Sequence, residues 1–133
     1  MSEPTTPFTK KDRKTAHDAF NKDVKRVLRE MRDTFPEVAS GVGMILLALK
    51  VTKRIGRKLP CRYFAEMVSQ PFGDRFLARD GAFFESDAFA VAGYEGLVND
   101  IQIQWKRADA GARDLVWRRM GDLLAACAAL QPN

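Results

Sequence analysis

The chain has 133 residues, of which 46% are hydrophobic and 29% charged, so it is long and apolar enough for one folded domain, and wholesale disorder is excluded. A single histidine excludes a multi-histidine metal site, and two cysteines are too few for a zinc motif or a disulfide scaffold, so we expect no cofactor. The formal net charge is +5, with 15 Lys or Arg against 7 Asp or Glu in residues 1–62 and 7 against 10 in residues 63–133, which predicts one basic flank.

The first predicted helix covers residues 11–35. Residues 1–8 hold two prolines and several polar side chains, which is typical of a flexible tail, and residues 9–133 are expected to form a single helical domain. The helix ends before Pro36, because proline disfavours helix in the preceding residue. Steps of one, three and four residues place its apolar side chains on one stripe: Phe20, Val24, Val27, Leu28, Met31 and Phe35.

The second predicted helix runs from Pro36 to Ile55. Its start, Thr34-Phe35-Pro36-Glu37, fits a capping box with proline in the first turn, and Gly56 follows its end. Gly41 and Gly43 weaken its early turns or permit close helix packing. The spacing predicts an inward face of Met44, Ala48, Val51 and Ile55, widened by Ile45 and Leu47.

The remaining chain predicts four further helices. Prolines open short helices over residues 60–69 and 71–79, with Tyr63, Phe64, Met67 and Val68 inward in the first. Residues 82–93 are aromatic without a clear period and are expected to form an ordered loop. Helices five and six cover residues 94–107 and 112–130. No segment alternates as a strand does, so we predict an all-α, compact bundle of five or six helices with short connections.

A basic cluster at the end of helix two is the strongest candidate for a binding site. It consists of Lys50, Lys53, Arg54, Arg57 and Lys58, whose mutual repulsion an anion would relieve. The alternative is a solvated helix end that interacts with the helix dipole.

A second basic stripe lies on helix one, with Lys22, Lys25, Arg29 and Arg32 as candidate contacts. Acidic neighbours are expected to pair with much of it at i,i+4 spacing: Asp18 with Lys22, Arg26 with Glu30, and Arg29 with Asp33. If the two stripes bind nucleic acid, they do so through its backbone and without sequence preference, since no sequence-reading motif is present.

Enzymatic candidates are few, and we predict a protein that is not an enzyme. His17 is expected at the surface near the start of helix one, with no evident nucleophile beside it in sequence. Cys61 lies among Arg57, Lys58 and Arg62, which would lower a thiol pKa, although most such cysteines simply pack. Cys127 falls on the inward stripe of helix six.

Three aromatic residues are candidates for contact with a protein partner: Trp117, Phe83 and Phe84. Trp117 lies off the main stripe of helix six and would serve as an anchor. The alternative is that Trp117 packs against the loop that contains Phe83, Phe84 and Phe89.

Several segments in this order carry a family resemblance. They are FNKDVKRVLREMRDTFPE over residues 20–37, the group Leu59, Pro60, Tyr63 and Phe64, RDGAFF over residues 79–84, and the two tryptophan segments around Trp105 and Trp117. The chain resembles a group of small helical proteins encoded by large nucleocytoplasmic DNA viruses of algae and protists. The resemblance implies a viral origin and a role in the virion or in interaction with the host, and it brings no active-site residues.

Two functions are therefore expected from the sequence. The first is non-enzymatic binding of nucleic acid or an acidic partner by the basic face, without sequence specificity. The second is a protein–protein adapter with an apolar groove, as a monomer or an oligomer. The N-terminus lacks a signal-like apolar stretch, and the longest apolar run, residues 41–49, is too short for a membrane span. The expected location is inside a cell, or in a virion assembled in one.

Overall fold

Six α-helices account for most of residues 9–85 and 95–131, the two ranges that the computed structural model describes, and no strand occurs within them. The predicted all-α bundle is thereby confirmed. The predicted tail over residues 1–8, and Phe89 with most of the predicted aromatic loop, lie outside the described residues. In chain order the helices are α1 (Lys10–Thr34), α2 (Ala39–Ile55), α3 (Leu59–Phe64), α4 (Gln70–Leu77), α5 (Glu95–Arg107) and α6 (Ala110–Leu130).

Helix α1 begins with a reciprocal capping box that the sequence analysis did not identify. The Thr9 hydroxyl accepts from the Asp12 backbone N–H at 3.0 Å, and the Asp12 carboxylate accepts from the Thr9 N–H at 3.2 Å. The capping box predicted for α2 is wrong, because a 3₁₀ turn over Pro36–Val38 precedes α2 and no side chain caps it. Glu37 instead accepts hydrogen bonds from Gln104 and Arg107, and thereby links this turn to α5.

The inward face predicted for α2 is also wrong. Val42 and Leu49 are its buried residues, whereas Met44, Ala48, Val51 and Ile55 are exposed. Because α2 is apolar around most of its circumference, periodicity alone does not select the buried side. Packing against α1 selects that side, and Leu97 of α5 approaches the helix closely at Gly41, where an added Cβ would lie 3.2 Å from Leu97 Cγ.

Helices α3 and α4 form one continuous helical segment, although Pro71 was expected to separate them. A π-helical turn, Ala65–Ser69, joins the two, and the Gln70 backbone N–H bonds to the Ala65 carbonyl. This wider turn accommodates Pro71, which has no N–H to give to the preceding turn. The predicted inward positions Tyr63 and Met67 are exposed, because the covered face carries Cys61, Phe64, Ala65 and Val68 instead.

The core consists of two clusters. The aromatic cluster lies between α4, α5, α6 and a 3₁₀ turn, Gly81–Glu85, and contains Phe76, Phe83, Phe84, Val98, Trp105, Trp117 and Leu124. Trp117, Phe83 and Phe84 are only 8%, 0% and 3% exposed, so the expectation that they form an accessible partner surface is wrong. The three rings pack against one another and against Phe76 and Trp105. Edge-on and tilted contacts between aromatic rings stabilise such a cluster beyond the burial of its apolar area.

The second cluster, between α1, α3 and α6, contains Phe20, Val27, Cys61, Ala65, Leu123, Cys127 and Leu130. Phe64 and Met120 are half-buried and pack against both clusters, so the two are joined. Helix α6 therefore lies at the centre of the bundle, and α2 packs at its edge against α1 and α3.

No single described helix is long and apolar enough to cross a bilayer. One pair, α1 with residues 36–55, meets the length and composition criteria only when taken together, and its two halves are bent by 119°.

Candidate anion-binding site

A groove of about 710 Å³ between α1 and α2 gathers six of the nine basic residues predicted as anion contacts. Helix α1 contributes Lys25, Arg29 and Arg32, which are on successive turns. Helix α2 contributes Lys50, Lys53 and Arg54 from its last two turns. The two basic stripes, separate in the sequence, therefore merge on one surface.

Carboxylates compensate few of these groove cations. Only Arg32 has one within 4.0 Å among the described residues, where its Nε lies 3.8 Å from Asp33 Oδ1. Helix α2 contains no Asp or Glu along its whole length. The groove therefore carries an excess of positive charge that an anionic ligand would neutralise.

The three i,i+4 ion pairs predicted on α1 do not form, because their acidic partners are used elsewhere. Asp18 lies 3.5 Å from Arg57 in the segment after α2. The partner of Arg26 is Asp23, at 2.9 Å. Exposed i,i+4 pairs contribute only a few tenths of a kcal/mol, so contacts to another helix or a closer neighbour readily replace them.

Glu30 faces away from the groove and binds Arg119 of α6. The guanidinium donates from Nε to Oε2 at 2.7 Å and from Nη2 to Oε1 at 3.2 Å, a bidentate contact between half-buried side chains. The Arg119 hydrogen bonds lower the pKa of Glu30, and the carboxylate in turn raises the pKa of Arg119. This contact removes from α1 the acid that was expected to offset Arg26.

Three predicted anion contacts lie outside the groove. Arg57 is half-buried and paired with Asp18, and its carbonyl accepts a 3.0 Å hydrogen bond from the buried Asn21 amide of α1. Lys58 is exposed close to His17. Lys22 is exposed on α1 but does not line the groove. The predicted cluster at the end of α2 is thus divided, because the chain turns at Gly56.

The apolar part of the site was not anticipated. Leu46, Leu47 and Leu49 line the groove between the cations. Beside it, four large side chains of α2 form an exposed row, which we call the α2 ridge: Met44, Leu47, Val51 and Ile55, at 62%, 63%, 50% and 74% exposure. The signal was present in the sequence, since α2 has more apolar positions than one buried face can hold.

His17 is buried rather than at the surface, which corrects the sequence expectation. It is 5% exposed, and its Nδ1 has no hydrogen-bond partner among the described residues. Burial lowers the pKa of His17, and the positive charges of Lys58, Arg13 and Arg57 lower it further, against an opposing contribution from Asp18. The imidazole is therefore neutral at pH 7 and lies outside the groove.

Cys61 is a core residue rather than an activated thiol. Its Sγ lies 3.4 Å from Cys127 Sγ, both residues are 1% exposed, and the Gln131 amide donates to both sulfurs at 3.3 and 3.5 Å. Burial raises the pKa of Cys61 to about 12, and the hydrogen bond and charge of Cys127 act in the same direction. The neighbouring cations predicted to lower the pKa are not among its causes.

Within the described ranges, no group of three or more His, Cys, Asp or Glu side chains is arranged to hold a metal ion. Compared with protein families, with curated proteins and with solved structures, the chain has no match.

Proposed function

We propose that this chain is a non-enzymatic helical binding protein whose α1–α2 groove takes a phosphate-bearing polyanion by charge, without reading its sequence. The observation that carries the proposal is the convergence of Lys25, Arg29, Lys50, Lys53 and Arg54 in one groove, with no carboxylate within 4.0 Å of any of them among residues 9–85 and 95–131. Lys and Arg side chains in such an arrangement neutralise phosphates and release their counterions, which makes binding favourable.

The groove chemistry supports binding more than catalysis. Cationic Lys and Arg side chains donate hydrogen bonds and accept none, so they suit the binding of phosphate oxygens. The two side chains that the sequence offered for catalysis, His17 and Cys61, are buried away from the groove. By the resemblance to viral proteins, DNA in a virion is one source of such a polyanion, and duplex DNA is the probe used below.

The proposal is tested by the salt dependence of binding to a short duplex DNA of arbitrary sequence. In the groove variant Lys25→Gln/Lys50→Gln/Lys53→Gln, three exposed lysines lose their charge without a change in the core. Each phosphate contact contributes about 0.9 to the slope of log K against log salt, so the slope should decrease by about 2–3. Fluorescence anisotropy between about 20 and 200 mM salt measures it.

A matched control removes three lysines in the first two turns of α1. Lys10→Gln/Lys11→Gln/Lys14→Gln lowers the net charge by the same amount at exposed positions outside the groove. It should change the slope by less than about 1, because these lysines contact few phosphates. An equal decrease of the salt slope in the two variants would mean that total charge rather than the groove governs binding. Absence of binding at low salt would refute the proposal.

A second candidate function is a protein–protein adapter, which the α2 ridge favours because exposed apolar rows on soluble proteins commonly mark contact surfaces. The predicted location of that surface, near Trp117 and Phe83, is buried, so the adapter hypothesis now rests on the α2 ridge.

A further inference from the structure

The α2 ridge and the cationic groove are one continuous surface. Met44, Leu47, Val51 and Ile55 follow steps of three, four and four residues, which places them on one stripe of the helix. Leu47, Lys50 and Arg54 follow steps of three and four on the adjoining stripe. Leu47 belongs to both sets, so apolar and basic side chains border each other along the C-terminal half of α2.

Such a surface matches an anionic phospholipid bilayer. A helix that lies in the membrane interface has an apolar stripe in contact with acyl chains and flanking Lys or Arg side chains at the level of the headgroup phosphates. Helix α2 has this composition, with four exposed apolar side chains, three cations in its last turns and no acid. The groove cations of α1, Lys25, Arg29 and Arg32, extend the basic border beyond α2.

We propose that α2 docks on an anionic phospholipid surface, with the ridge inserted among acyl chains and the groove cations on headgroup phosphates. This inference rests on the proposed function, because it identifies the phosphate-bearing polyanion as a lipid surface. Nucleic acid would use the cations but would leave four large apolar side chains in water, whereas the bilayer accounts for both halves of the surface.

Charge and shape argue against two other occupants. A second copy related by two-fold symmetry would bring the same cationic border against itself, which like-charge repulsion opposes. A partner protein would need an acidic surface with a groove that fits the projecting ridge. A bilayer needs no such groove, because lipid molecules rearrange around inserted side chains.

The test measures partitioning of the full chain onto vesicles of phosphatidylcholine with about 30% phosphatidylserine, and onto vesicles of phosphatidylcholine alone. The wild-type chain should bind the anionic vesicles at about 0.1 M salt and bind the neutral vesicles at least tenfold more weakly. The ridge variant Met44→Gln/Ile55→Thr should bind the anionic vesicles about tenfold or more weakly than wild type, because it loses the inserted apolar area.

The matched control, Leu77→Gln/Ile103→Thr, changes two exposed apolar residues on α4 and α5, at 66% and 40% exposure. It should retain wild-type partitioning. Circular dichroism melting of both variants verifies that they fold, which their exposed positions favour. A ridge variant that binds anionic vesicles as tightly as wild type would overturn the inference, as would equal binding of the wild type to neutral vesicles.

Duplex DNA serves as the second probe and separates the two proposals. The ridge variant should retain wild-type DNA affinity, since it keeps every groove cation. A wild-type chain that binds DNA but no vesicles would overturn the lipid inference and leave the proposed function in place. A chain that binds neither at low salt would refute both. A wild-type dimer that the ridge variant dissociates, or preference for a designed acidic amphipathic peptide over vesicles, would also overturn the inference.

Discussion

His17 illustrates how one buried side chain changes the chemistry expected from sequence. Its position near the start of α1 indicated an exposed, titrating group, yet it is buried beneath the segment that connects α2 to α3. Neighbouring Asn21 is 1% exposed and bonds to the Arg57 carbonyl of that segment, so the polar face of α1 is covered there. Sequence periodicity follows apolar residues and therefore does not reveal a buried polar contact.

His17 makes stability depend on pH in a defined direction. Because its pKa in the folded chain is below the ordinary value of 6.5, the unfolded chain takes up a proton first as the pH falls. The free energy of unfolding should therefore decrease as the pH falls through about 6.5, by at most about 1.4 kcal/mol per pH unit, until the folded-state pKa is reached. Urea unfolding at several pH values between about 5.5 and 7.5 measures this.

The variant His17→Gln provides the comparison, since the chain has one histidine and few other side chains titrate in this range. Its free energy of unfolding should be nearly constant over the same interval. A wild-type chain that gains stability on acidification, or a variant with the wild-type slope, would contradict the neutral buried state.

Helix α2 shows at the scale of one element what the sequence could and could not predict. Its end at Ile55 was predicted correctly from the basic residues in the last turn and Gly56 after it. Its buried face was not, because apolar residues occur around most of the helix, and packing against α1, with Leu97 of α5 close to Gly41, selects the side that is covered. The same error concealed the α2 ridge.

Gly41 and Gly43 test this packing directly. Alanine in place of glycine inside a helix normally stabilises it by about 0.5–1 kcal/mol. Gly43→Ala should give this gain, since nothing lies within 4 Å of the added Cβ. Gly41→Ala should give at least about 1 kcal/mol less, because its Cβ would crowd the Leu97 side chain and overpacking opposes the gain in propensity. Equilibrium unfolding measures the free energy of unfolding of both variants. An equal gain in the two variants would contradict the close approach of Leu97 to Gly41.

Within the described residues, the whole molecule divides into an aromatic interior and a basic edge. The all-α class, the six helices and most of their boundaries followed from periodicity, prolines and glycines. The assembly of the site could not be predicted from local spacing. Helix packing brings Lys25 and Arg29 of α1 beside Lys50, Lys53 and Arg54 of α2, while two acids of α1, Glu30 and Asp18, contact Arg119 and Arg57 outside the groove. Local sequence spacing does not predict such long-range contacts.

At the scale of the whole molecule, the asymmetric charge of the sequence produces a basic surface on one side of the described bundle. Most of the basic excess falls in the first half of the chain, and α1 and α2 bring part of it to one groove. Some acidic residues of the second half form ion pairs within that half, such as Asp114 of α6 with Arg118 of the same helix and with Arg79, which follows α4. The Arg79 hydrogen bond and the two positive charges lower the pKa of Asp114, so this carboxylate stays ionised.

Backbone amide chemical shifts recorded during titration with a short duplex DNA test the central claim most directly. The proposal predicts that the largest changes fall on residues 25–32 and 46–54, the two helix segments that carry the groove-lining side chains. Lys106, Arg107 and Arg118 are exposed cations outside it and should change little. Changes concentrated at these three residues, or spread evenly over all exposed cations, would contradict the assignment of anion binding to the α1–α2 groove.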